Sequence, residues 1–172
     1  MRTAYISSCE KYRYRLSRGW VNMLNNPGAV LFIGLNPSTA DAFSDDPTIR
    51  RCTNFTDFLG YRRFYMVNLF AFRATDPAAM KQATDPVGPR NDEFILSMAA
   101  QSKIIIACWG NHGKYMDRDK AVLELLKDYD IHALKINKEG SPARPLYLKK
   151  SSNLKMFQAK TIQGDKESND MT

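Results

Sequence analysis

The sequence predicts a three-layer α/β/α fold: a central, mainly parallel four-stranded sheet between helices, preceded by an N-terminal β-hairpin. Three observations carry this. Four short apolar runs, at 30–33, 65–69, 103–109 and 131–136, have the length and β-forming composition of strands buried on both faces. Stretches with apolar residues at helical spacing alternate with them, the order that builds a parallel sheet covered on both sides. Each run also ends in, or leads to, a distinctive loop, GLNPST, NLFAFRATDP, WGNHG and GSPARPLY in turn. Parallel strands would gather these four loops at one sheet edge, where open α/β sheets hold their ligands.

The elements follow in order. In residues 3–20, Tyr12, Arg13, Tyr14, Arg15 and Leu16 alternate in character. A strand here puts Tyr12, Tyr14 and Leu16 on one face and the arginines on the other. Asn25, Asn26, Pro27 and Gly28 give a turn before the first buried run. Asp45, Asp46, Pro47 and Thr48 read as a helix start, an acidic cap with Pro in the first turn. Ile49, Cys52, Phe55, Thr56 and Leu59 continue it at helical spacing as far as Gly60. The second run ends in Asn68, Pro77 opens a short helical piece, and 85–89 make a further turn. Asn91 is expected to cap a helix that turns Phe94, Ile95, Met98 and Ala99 inward, and another helix is expected over 117–130. From Lys149 the chain turns polar, and 161–172 lacks core-forming residues. A single domain over 1–160 with a disordered tail is therefore expected.

Composition narrows the function classes. With 172 residues, 44% apolar and 25% charged, the chain can bury a substantial core in one domain. No apolar run is long enough to span a bilayer, and Met1 to Cys9 lacks the apolar stretch of a secretory leader. Three widely spaced cysteines without a CxxC pair and only two histidines argue against a zinc site and fit a reducing cytoplasm. The net charge of +7 is concentrated at the ends: residues 1–20 carry five Lys/Arg and one acid, and residues 135–160 carry seven and one. Two basic segments on a near-neutral body suit a polyanion if the fold brings them together, and otherwise serve solubility.

Common catalytic fingerprints are absent: there is no GxGxxG, P-loop, GxSxG or HExxH. Asp41, Asp45 and Asp46 could hold Mg²⁺ as in a nuclease, but Asp45 and Asp46 lie where a helix N-terminus favours acids, and no metal is expected. Cys108 lies inside an apolar run and reads as core. Asn36 is a polar side chain delivered by a buried strand to a turn that Pro37 stiffens; the same turn also reads as an ordinary strand-to-helix connection capped by Ser38 or Thr39. Arg13 and Arg15, interleaved with tyrosines, suit phosphates and bases, as do Lys149 and Lys150 in the second basic segment.

The loops carry a resemblance. Leu35-Asn36-Pro37-Ser38-Thr39-Ala40-Asp41, Asp45-Asp46-Pro47-Thr48, Asn68-Leu69-Phe70-Ala71 with Arg73-Ala74-Thr75-Asp76-Pro77, Asp85-Pro86-Val87-Gly88-Pro89, Trp109-Gly110 and Pro145-Leu146-Tyr147-Leu148 follow the pattern of a bacterial and phage family designated domain of unknown function 1643. More distantly the chain resembles the uracil-DNA glycosylase superfamily. Gly34-Leu35-Asn36-Pro37-Ser38 is similar to the water loop of the mismatch-specific uracil and thymine glycosylases, and Val67 to Ala74 to the strand end of the classical enzymes. Cys108-Trp109-Gly110-Asn111-His112 is similar to their LWGSHA, and Gly140 to Leu146 falls where their minor-groove loop lies. The order of the four pieces agrees.

That resemblance implies a pocket for a flipped-out base. Asn36 would orient the attacking water and Asn68 would read the base edge, its amide offering donor and acceptor side by side. Gly34, Pro37, Ser38 and Arg73 would complete the base site. His112 and Arg144 would stabilise charge, and Ser141 would join the nucleic-acid backbone contacts. No cofactor is implied, and DNA is the expected partner. Two departures matter: the classical water-activating Asp is absent from this loop, and Arg144 stands where both patterns carry His. The alternative reading is a non-catalytic nucleic-acid or nucleotide-binding protein on the same fold.

Overall fold

The computed structural model describes residues 1–20, 27–149 and 153–162. Its strands are β1 (Arg2–Ile6), β2 (Arg13–Gly19), β3 (Val30–Gly34), β4 (Arg63–Asn68), β5 (Ile104–Ala107), β6 (Ile131–Ala133) and β7 (Lys155–Gln158). Four helices accompany them: α1 (Pro47–Phe58), α2 (Pro77–Lys81), α3 (Asn91–Ala100) and α4 (Arg118–Leu125), the last entered through a 3₁₀ stretch, Asn111–Asp117. The sheet differs from the four-stranded expectation. Among the described residues it has seven strands in the order β1-β2-β4-β3-β5-β6-β7 and is mixed. The four apolar runs form its parallel centre, β4-β3-β5-β6, while β2 and β7 join antiparallel on either side. The N-terminal hairpin is thus an extension of the sheet rather than an appendage. β7 was not legible in the sequence because it is a four-residue edge strand, half exposed, whose Phe157 meets Trp109 edge-on at 5.9 Å.

Alternation in the central strands serves two cores. Leu31 and Ile33 of β3, Tyr65 and Val67 of β4, and Ile105 and Ala107 of β5 face α3 and α4. Val30 and Phe32, Phe64 and Met66, and Ile106 face α1 through Ile49, Cys52 and Phe55. All of β3 is buried, as a strand covered on both faces requires. α1 begins where expected: the Asp46 carboxylate accepts from Ile49 N–H at 2.9 Å and Pro47 opens the first turn. Asp76 caps α2 in the same way.

Several local expectations are corrected. Asn91 is the first residue of α3 rather than its cap, and its amide is spent elsewhere. α4 covers only 118–125, because Met116 and Asp117 take left-handed backbone angles that separate it from the 3₁₀ stretch. β6 ends at Ala133; beyond it the chain folds back, with Ile136 bridging Pro142. Residues 25–26 of the expected turn and most of the expected tail, 163–172, lie outside the described residues. The simple alternation in β2 also fails. Tyr5 pairs with Arg15 but Ile6 pairs with Arg13, so Tyr14 is the extra residue of a β-bulge. Leu16 therefore joins the α1 core while Tyr14 stacks on Phe94 of α3, and Arg13 turns inward.

A truncation at the sheet centre should be far more costly than one on the surface. Phe32→Ala should destabilise by about 3–5 kcal/mol, whereas Phe43→Ala, at 91% exposure, should stay within about 0.5 kcal/mol; urea denaturation midpoints compare the two.

Candidate functional site

The carboxyl ends of the parallel strands open onto a cavity of about 80 Å³ on the α1 side of the sheet. Its floor is a row across neighbouring strands. Arg13 comes from β2, Asn68 from β4, Gly34 from β3 and Cys108 from the residue after β5, with Met66 beneath. The first turn of α1 supplies Asp46, Thr48 and Ile49, and the loops add Asn36, Ser38, Ala74, Thr75 and Pro145. Arg144, exposed, stands at the rim.

Backbone hydrogen bonds zip the first two loops together. Leu69 N–H donates to Gly34 O, Phe70 to Leu35 O, and Ala74 to Pro37 O, each at 2.9 Å. Asn36 joins this ladder: its Nδ2 donates to Ala74 O at 2.8 Å and to Pro37 O at 3.2 Å. The amide nitrogen is thereby occupied, which leaves Oδ1 as the acceptor. Asn68 is the reverse case. It is 3% exposed, and its Nδ2 is buried without a hydrogen-bond partner among the described residues. A buried amide N–H left unmade is costly unless something outside the chain accepts it. The carbonyls of Asn68 and Leu69 both accept from Asn91 Nδ2 at 2.9 Å, and Arg118 Nε adds a bond of 2.7 Å to Leu69 O. Asn91 and Arg118 are thus positioning residues for the end of β4, and their sequence positions gave no signal of it.

Gly34 makes this arrangement possible. A Cβ built there would lie 2.7 Å from Asn68 Oδ1, so only glycine admits the amide at this register position. Gly110 plays a related part at the rim. Its φ is +71°, and a Cβ would meet Arg144 Cγ at 3.0 Å, while its N–H donates to Pro142 O at 2.8 Å and ties the third loop to the fourth.

Arg13 is 2% exposed. Nη1 donates to Ala40 O at 2.7 Å, and Nε is buried without a partner among the described residues. Burial lowers its guanidinium to about 10, opposed in part by Asp46, so it stays charged at neutral pH. Arg144 has no hydrogen bond or ion pair with any described residue. The Cys108 thiol, on the cavity floor, is pushed up to about 12 by burial.

Other expected site residues stand elsewhere. Pro37 is buried behind the loop and lends only its carbonyl. Arg73 Nη1 donates to Glu10 O at 3.2 Å and lines a separate groove with Lys11 and Thr39. His112 does not reach the cavity; its Nδ1 is 3.0 Å from Lys81 Nζ, and it lines an adjoining groove of about 410 Å³ that shares Arg144. Ser141 is buried, its carbonyl accepting from Asn137 N–H in the fourth loop. Arg15 is half-buried on β2, Lys149 is exposed, and Lys150 lies outside the described residues. Asp45 pairs with Arg2 and Arg18, while Asp41 accepts from Phe43 and Ser44 N–H, bonds that hold its carboxyl below the usual range. Among the described residues no group of three or more His, Cys, Asp or Glu is arranged for a metal ion, and no helix is long and apolar enough to cross a membrane.

Fold and site together define an α/β protein with a polar, arginine-bearing pocket at the carboxyl edge of its parallel strands. Residues 13–146 match the family described as Protein of unknown function (DUF1643), and the chain belongs to that family. No curated protein and no solved structure matches the chain.

Two outcomes follow from this geometry. Gly34→Ala should cost about 1–3 kcal/mol as an overpacking substitution, and most of that cost should vanish in an Asn68→Ala background, a coupling that a double-mutant cycle in urea measures. In the native protein, iodoacetamide should modify Cys9 first, since it is exposed and its bond with Ser7 lowers its thiol, while Cys52 and Cys108 should react only after unfolding; peptide mass mapping reads this.

Proposed function

We propose that the cavity receives a nucleobase and that the protein is a DNA glycosylase-like hydrolase of the N-glycosidic bond, similar in layout to the uracil-DNA glycosylases and independent of metal. The observation that carries this reading is the pairing of Asn36 and Asn68 across Gly34. One amide has its nitrogen bound and its oxygen left as an acceptor; the other has a buried nitrogen with no partner. The first suits a water that must be aimed, and the second suits the oxo edge of a flipped-out base. The cavity is about 80 Å³, smaller than the ~150 Å³ that admits benzene, so in this form it takes the edge of a single ring rather than the whole ring. The adjoining groove, with Lys135, His112 and Arg144 along it, would follow the strand on either side of the flipped nucleotide.

One observation favours a second reading, a nucleic-acid or nucleotide-binding protein without turnover. Among the described residues the cavity wall holds no histidine, and its one carboxylate, Asp46, has Oδ1 committed to the α1 cap. A panel of oligonucleotides with modified bases, scored for abasic sites with and without chelator, distinguishes hydrolysis from binding alone.

On a cleaved substrate, Asn36→Ala should lower the single-turnover rate by about 10²-fold, the cost of misplacing a reacting group, with the fold retained, since the lost bonds are worth only about 0.5–1.5 kcal/mol each. Asn68→Asp should change which base is accepted, because it exchanges a donor for an acceptor. Full activity on the same substrate in both variants would refute the pocket assignment.

A further inference from the structure

The cavity has an unbalanced charge at its floor. Buried charges are held by partners of opposite sign or by several hydrogen bonds. Arg13 has neither: among the described residues no carboxylate lies within 4 Å of it, one bond reaches Ala40 O, and Nε is orphaned. The neighbouring acids are spent elsewhere. Asp45 belongs to Arg2 and Arg18, Asp41 to the backbone at 43 and 44, and Asp46 Oδ1 to the α1 cap. Arg144 at the rim and the first turn of α1 add further positive potential, which the Asp46 carboxylate only partly offsets.

We propose that the cavity is built to hold an anion, with Arg13 as its fixed counter-ion, so that the ligand edge meeting Asn68 and Arg13 carries negative charge. The inference deepens the base-pocket reading, on which it rests for the identity of the ring. In hydrolysis the water oxygen bonds to the sugar C1′, the C1′–N bond breaks, and its electron pair leaves with the base, while the water proton passes to solvent. Among the described residues no group on the cavity wall is placed to protonate the base as it departs: there is no histidine, Asp46 Oδ1 accepts from Ile49 N–H, and the Cys108 thiol keeps its proton. The base therefore leaves as an anion, its charge spread onto ring carbonyls, and takes a proton from solvent after release. Substrates of this class are oxo-pyrimidines rather than purines that must be protonated to depart. Arg13, deep in the cavity, takes the stabilising role for which the sequence pointed to Arg144; Arg144 guards the entrance.

The test compares two similar rings of different charge. Barbiturate is an anionic pyrimidine at neutral pH and uracil is a neutral one. Isothermal titration of the full chain should show barbiturate binding at least about tenfold more tightly than uracil, the lower end for close charge pairs. That preference should persist in Arg144→Ala, survive in part in Arg13→Lys, and disappear in Arg13→Gln, with circular dichroism confirming the fold of each. If Arg13→Gln does not fold, the wild-type preference and its partial retention in Arg13→Lys still decide. Equal binding of the two rings, or a preference unchanged in Arg13→Gln, would overturn the proposal. So would displacement of barbiturate by inorganic phosphate at lower concentration, which would assign the charge to a phosphate group. The two readings separate cleanly: an Arg13-dependent barbiturate preference without base release from any oligonucleotide supports the anion site and refutes the glycosylase, whereas base release without that preference does the opposite.

Discussion

The parallel ladder that sets Gly34 of β3 beside Asn68 of β4 governs the rest of the site. Because residues alternate strictly along both strands, that register puts Phe32 and Met66 in the α1 core and the next pair, Gly34 and Asn68, at the floor of the cavity. Cys108 continues the row beyond β5. A slip of one residue would exchange the two faces and send the amide into the α3 core. The hydrogen bonds from the second loop back to the carbonyls of 34, 35 and 37 then extend this register past the strand ends. The loops are consequently part of the sheet's rigid frame, and the polar groups they carry are aimed rather than loosely tethered.

Charge is organised by topology more than by number. The two basic ends of the chain do not make one continuous stripe, since β1 and β2 form one edge of the sheet and β7 the other. Each end instead delivers one arginine to the same cavity, Arg13 at the floor and Arg144 at the rim. The two arginines differ in setting. One is desolvated and held by the strand, so its field acts in a low-dielectric space; the other is in water, where salt screens it. Basic composition thus acts at close range inside the pocket as well as over the surface.

The buried strands and the loops at their ends were legible because they rest on local signals: uninterrupted apolar runs, and turn residues whose chemistry is independent of distant partners. Asp46 and Pro47 announced α1 for the same reason. What escaped the sequence depended on contacts between distant segments. Asn91 looks like a cap in isolation and is instead a clamp on the carbonyls of 68 and 69. Arg118 looks like a surface charge at a helix start, yet it is 7% exposed and reaches Leu69 O. β7 lacks a local pattern and exists because an open edge and Trp109 were available to it. Asn36 and Asn68, expected at the site, line the cavity, His112 lies outside it beside Lys81, and the depth of Arg13 was hidden by a bulge.

That bulge lets one strand serve both sides of the sheet. Tyr14 is passed over in the ladder between Arg13 and Arg15, so Arg13, three residues from Leu16, shares its α1 side while Tyr14 stacks on Phe94. Straightening the bulge with every residue kept would put Tyr14 on the α1 side and turn the Arg13 guanidinium toward Phe94, whereas deleting Tyr14 would leave Arg13 two residues from Leu16 and still on the α1 side. The charge of the cavity thus depends on the ladder passing over one residue, and not on which side chain is passed over. The bulge, rather than the exposed turn that precedes it, therefore decides which side of the sheet carries the charge.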